Sequence, residues 1–266
     1  MYKNLVLKSI KDIFDNSESI IKALVIPLIL LIILNLASTA VTPADQRFSI
    51  LGLFFIFLSL LVDIVILITV QRILILGNDS VPTWGIQKFE QREFTFFFRY
   101  LIVAIVFIVV VVLSTGFFQL LGINIFVSIF FTMLVCAIYL SRISLVFPAI
   151  AVDTKMTFKE SFEYTKDFKL LIFVTVIAFP IFFSLVFGGI YTLIISVIAS
   201  SLSADLNFLL VLLNVIVSVF LVSALSNTYI YISETLAQKY SNSDDYIEDD
   251  SYNEEDDTQD QNKDKE

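Results

Sequence analysis

Six apolar runs, each long enough to cross a bilayer, decide most of what this chain can become. They cover 23–41, 50–76, 100–121, 125–152, 170–198 and 206–232. At about 1.5 Å of rise per residue, a helix over any of them reaches across a hydrocarbon core of about 30 Å. Lipid offers the backbone no hydrogen-bond partner, so each run is expected to be a helix that satisfies itself. The chain is 58% hydrophobic, with 27 Phe against 7 Gly. That is more apolar surface than a soluble domain of this length can hide. The expected fold class is all-α: a polytopic membrane protein with six transmembrane helices in a membrane domain over 1–240, followed by a tail over 241–266.

The polar residues between the runs set the orientation. The chain has 17 Lys and Arg. All but Arg47 fall in the N-terminal segment, the second and fourth connections, the inner span ends or the tail, which six crossings place on one side. The bias of Lys and Arg toward the cytoplasmic face predicts that both termini are cytoplasmic. The formal charge of −9 belongs to the tail. Residues 241–266 hold twelve Asp or Glu against Lys263 and Lys265, and the rest of the chain is close to neutral. Such a tail has too little apolar content to fold, so a disordered acidic cytoplasmic tail is expected. It reads as a solvated segment, a docking site for a protein partner, or a repeller of the anionic leaflet.

The connections also hint at a repeat. Residues 1–22 place Val6, Ile10, Ile13 and Phe14 on one helical face among charged residues, as an interfacial amphipathic helix would. The first run reads as an uncleaved anchor, with Pro27 and Asn35 inside it. The connection over 77–99, with Trp84, Phe89 and Phe94 among charges, reads as a second interfacial helix. Thr157 and Glu160 have the spacing of a capping box, so a third should start there. These features suggest three units of interfacial helix, span, short outer turn and span. Gly122 and Asn124 are expected to make one of the outer turns.

Few residues inside the runs can carry chemistry. Asp63 lies about 20 Å along its helix from Ile50, deep enough that an ionised carboxylate is costly. It reads either as a proton- or ion-coupling residue or as a packing residue held by an interhelical bond. Arg72 and Arg142 end the second and fourth runs. They either reach the headgroups or hold an anion such as a phosphate, with Glu234 as a candidate counter-charge. Ser184, Gly188, Thr192 and Ser196 recur every four residues in the fifth run, as do Asn124, Ser128, Thr132 and Cys136 in the fourth. Small residues at this spacing let helices approach closely, so both rows are expected to be packing ridges. Asn214 and Ser218 on the sixth run read as packing or as a polar lining.

Other chemistries lack their residues. The chain has no His and one Cys, Cys136, which removes imidazole bases, an internal disulfide and paired-cysteine metal sites. No nucleotide loop, nucleophile elbow or zinc-protease motif occurs. We therefore expect no enzyme, no metal and no cofactor. No basic face suits nucleic acid, and membrane lipids are the expected partners.

Arg142, Phe147, Pro148, Ala149, Ile150 and Asp153, followed by Phe158, Glu160, Ser161 and Phe168, carry a resemblance. This stretch of about thirty residues resembles a group of bacterial six-helix inner-membrane proteins. The group includes the membrane domain fused to some glycerophosphodiester phosphodiesterases, together with stand-alone relatives. Phe162 stands where the group would have Trp, and no attached phosphodiesterase domain is expected. The resemblance implies a multi-pass inner-membrane domain and carries over no catalytic residue. The expected function is a non-enzymatic protein of envelope or lipid homeostasis, as a scaffold or lipid binder. The alternative is a small permease with Asp63 as coupling residue and Arg72 and Arg142 at an anion site.

Overall fold

The computed structural model describes residues 2–41, 49–82, 84, 89–202, 206 and 208–250. Helix α1 is Tyr2–Asp15 and α2 is Ser17–Val41, with α3 over Ile50–Leu76 and α4 over Gln91–Leu120. Two pieces, α5 (Ile125–Ile143) and α6 (Val146–Ala151), make the fourth span. A short helix, α7 (Phe158–Tyr164), precedes α8 (Lys169–Ser201), and α9 runs Leu209–Asp250. No strand occurs among the described residues. Six of these helical segments are long and apolar enough to cross a membrane, and the chain is a multi-pass membrane protein. Below, the side carrying α1 is called the α1 side.

Helix ends are set locally. Ser49 caps α3, its hydroxyl accepting from the Gly52 N–H at 3.4 Å. Glu90 and Glu93 form a reciprocal capping box at the start of α4, and Thr157 and Glu160 form the expected one on α7. The outer turn between α4 and α5 follows the sequence reading. Gly122 takes φ 74, and its N–H bonds to the Gln119 carbonyl while that of Ile123 reaches Phe118. This is a Schellman ending, which favours glycine. Asn124 then opens α5 by accepting from the Phe126 N–H at 2.9 Å.

The chain divides into two compact units, Met1–Tyr229 and Ile230–Glu266. In the first, α2, α3 and α9 share a core. Ile20, Ala23, Leu24 and Leu31 meet Ile66, Val70 and Ile73, with Val215, Val219 and Val222 completing the cluster. Between helices in lipid, tight van der Waals packing and buried hydrogen bonds replace the hydrophobic effect as the source of cohesion. Two such bonds tie distant segments: Ser223 Oγ donates to the Ser9 carbonyl (2.8 Å), and Thr228 Oγ1 donates to Thr175 Oγ1 (2.9 Å). In the second unit α9 continues as helix to Asp250.

Several expectations need correcting. The buried row of α1 is Leu5, Ser9 and, partly, Ile13, while Phe14 is exposed. This helix therefore packs on the bundle as well as offering a greasy face outward. The charged stretch Gln91–Arg99 is the first part of α4 rather than a separate interfacial helix. Of the segment before it, residues 83 and 85–88 lie outside the described residues. The backbone over 241–250 is helical, where disorder was expected. Extending a formed helix needs only one residue fixed per new bond, so acidic residues can ride on it. The rest of the tail, 251–266, and Arg47 lie outside the described residues.

The two four-residue rows fare differently. Ser128, Thr132 and Cys136 are buried along α5. On α8, Ser184, Thr192 and Ser196 are exposed and only Gly188 is partly covered, near Leu213. The row Ser184, Gly188, Thr192 and Ser196 is thus not the packed face. Helix α8 also contains two π-helical turns, Val174–Ala178 and Ser184–Gly188. Each uses i→i+5 bonds and shifts the following residues around the axis. The buried residues of α8 end at Phe183, after Thr175, Val176 and Pro180, and none of the described residues of this helix beyond it is buried, so the row lies on a stretch that no neighbouring helix buries.

Candidate functional site

At the α1 side, a charged cluster joins the ends of three spans. Arg72, late in α3, donates from one terminal nitrogen to Asp153 Oδ2 (2.8 Å) and to the Ala151 carbonyl (2.9 Å). Its Nε reaches the Ser80 carbonyl at 3.3 Å. Arg92, at the start of α4, meets both Asp153 oxygens at 3.0 and 3.1 Å. It also meets Glu93 Oε1 at 3.0 Å. Glu93 is buried and its second oxygen accepts from the Glu90 N–H at 2.8 Å. One carboxylate, Asp153, thus pairs with two arginines from two helices, and Glu93 gives Arg92 a second carboxylate. The partner of Arg72 is Asp153, which sequence reasoning left unassigned in favour of Glu234.

Asp153 is placed by backbone chemistry. It takes φ 61, the only positive φ at a non-glycine among the described residues. Its N–H bonds to the Ile150 carbonyl and that of Thr154 bonds to Ala149. This repeats at α6 the Schellman ending that Gly122 makes at α4. Asp tolerates this region better than most residues do.

Arg142 has a separate task. Its terminal nitrogen donates to the Phe162 carbonyl at 2.6 Å, and the guanidinium lies 3.2 Å from the centre of the Phe162 ring. The Arg142 carbonyl accepts from Ser161 Oγ at 2.8 Å. These bonds fasten α7 to the end of α5. Arg72 and Arg142 are therefore not brought together, and each already has protein acceptors.

Asp63 lies mid-span in α3. It lines a cavity of about 180 Å³ with Tyr100 of α4 and with Asn214 and Ser218 of α9. Among the described residues it makes no hydrogen bond or ion pair. The interhelical bond that a packing role calls for is not made.

Two larger cavities are lined by residues at the start of α7. The first, about 500 Å³, opens among Arg92, Arg99, Asp153, Lys155, Thr157 and Glu160. Arg99 donates one long bond, 3.4 Å, to the Met156 carbonyl and lies 4.9 Å from the centre of the Phe158 ring. The Glu160 carboxyl is held below the usual range, first by the Thr157 N–H, then by the Thr157 hydroxyl, and also by the charge of Arg99. The second, about 490 Å³, is a groove between α4 and α5. Val103, Val106 and Val110 face Val135, Leu140 and Ile143 across it, and Phe158 also lines it. Sequence reasoning missed this pair of cavities. The signal available was Arg99 at the exact start of an apolar run, facing a loop that carries Lys155. No protein-family model, no curated protein and no solved structure matches the chain.

Proposed function

We propose that this is a non-enzymatic membrane protein that binds membrane lipid and serves envelope or lipid homeostasis. The observation that carries this reading is the groove between α4 and α5. It is lined almost entirely by apolar side chains, beside helices whose outward faces are apolar. A dry apolar cleft suits a hydrocarbon chain and offers a polar solute no hydrogen bonds. The bias of cations to the α1 side and the resemblance around Arg142–Phe168 favour a bacterial inner membrane with cytoplasmic termini. Native mass spectrometry of the full chain, purified in mild detergent, tests the reading. We expect a phospholipid retained at a one-to-one ratio; no retained lipid in any detergent tried overturns it.

A second reading, a small permease, draws on one specific observation: Asp63, which has no partner among the described residues, at the cavity with Tyr100, Asn214 and Ser218. An intramembrane carboxylate without a counter-charge suits a site that exchanges a proton. In liposomes carrying a pH-sensitive dye, the permease reading expects proton flux that Asp63→Asn abolishes at equal incorporation. Equal flux in the two proteins, or none in the wild type, removes it.

A further inference from the structure

We propose that the two cavities beside α7 form one site for an anionic phospholipid, its phosphate on Arg99 and Lys155 and an acyl chain in the groove between α4 and α5. This rests on the lipid-binding reading and names the ligand class and the residues that select it. Successive residues line both cavities: Phe158 lines the groove, while Met156 and Thr157 just before it line the polar cavity. Arg99 lines the polar cavity and lies over the Phe158 ring.

The charges at this mouth are unequal in their commitments. Asp153 is taken by Arg72 and Arg92. Among the described residues Arg99 makes no ion pair within 4.0 Å, and its bond to Met156 leaves most of its N–H donors open. Lys155 is exposed and has no ion-pair partner among the described residues. Besides Asp153, the carboxylate lining this cavity is Glu160, one of whose oxygens accepts from the Thr157 N–H at 2.6 Å. Guanidinium and ammonium donors together suit a phosphodiester.

Depth agrees with charge. Arg99 lies at the start of the apolar part of α4, the level of headgroups. From there Ile102 to Val110 extends about 12 Å into the hydrocarbon, along the groove wall. A phosphate at Arg99 therefore places its acyl chain at the groove mouth, running past Val106. A neutral lipid gains the groove and not the cations, so selectivity for anionic headgroups is the signature.

The test titrates the delipidated full-length protein with phosphatidylglycerol or phosphatidylcholine and counts bound lipid by native mass spectrometry. We expect the wild type to prefer phosphatidylglycerol. Arg99→Gln with Lys155→Gln should weaken phosphatidylglycerol by about 10-fold to 30-fold, on the order of one charge interaction per cation, and leave phosphatidylcholine unchanged. Glu160→Gln should tighten phosphatidylglycerol, and Val106→Trp should weaken both lipids. Should Val106→Trp not fold, Val106→Phe makes the same comparison. If lipid binds but the double variant keeps the preference, or if both lipids bind equally to the wild type, the assigned site is wrong and lipid binding stands. If neither lipid binds the wild type, the lipid-binding reading falls and the site with it.

Discussion

Asp153 and Gly122 occupy the same place in two helix endings, at φ 61 and φ 74. For Gly122 that backbone is free of strain. For most L-residues it costs about 1–2 kcal/mol, and for Asp somewhat less. Besides the two backbone bonds of the helix ending, its carboxylate, shared by Arg72 and Arg92, holds Asp153 there. The two contributions can be separated. Asp153→Asn keeps the tolerance for this backbone and loses the charge, while Asp153→Gly relieves the strain and loses the whole side chain. Asp153→Ala loses the pairing and keeps the strain. Asp153 is more than half exposed, so the pairing is partly screened. In thermal unfolding in detergent we expect Asp153→Ala to be the least stable, by about 1–3 kcal/mol, with Asn and Gly between it and the wild type. Equal melting of all four proteins would show that the cluster carries no net stability. Arg72 was legible as a cation at a span end, whereas Arg92 stood in the charged connection over 77–99. Their shared partner was not legible, because Arg72 and Asp153 stand 81 residues apart and only the assembled bundle brings them to 2.8 Å.

At the scale of elements, caps could be read and helix phase could not. Thr157 and Glu160 announce α7 because a capping box is a matter of four neighbouring residues. The phase of α8 depends on two π turns, which α-helical spacing cannot foresee. The first of these turns holds Thr175, which the Thr228 hydroxyl of α9 meets at 2.9 Å. Further along, the Tyr191 hydroxyl reaches the Leu209 carbonyl at 3.0 Å. Both threonines also lie within bonding distance of their own helix, at Leu171 and Ala224. Part of each hydroxyl's satisfaction is therefore local. A double-mutant cycle of Thr175→Val and Thr228→Val, read by unfolding in mixed micelles, should give a coupling of about 0.6 kcal/mol and no more than about 1.7. A coupling indistinguishable from zero would mean that the shape of the two helices, rather than this bond, sets their register.

At the scale of the whole molecule, sequence alone determined that there would be six membrane helices and very little else between them. Chain length per run and the impossibility of an unpaired backbone in lipid leave no other outcome. It also determined several helix ends, because capping and αL turns are local. Only the tertiary structure decided which polar residues meet. Arg72 found Asp153, Arg142 found the Phe162 carbonyl, and Asp63 found a cavity instead of a partner. It alone placed Arg99 over the Phe158 ring that lines the apolar groove. In lipid an apolar side chain has no preference between a neighbouring helix and an acyl chain, so hydrophobicity cannot say which faces pack. Shape and a handful of buried hydrogen bonds make that choice, and they exist only once the helices are together.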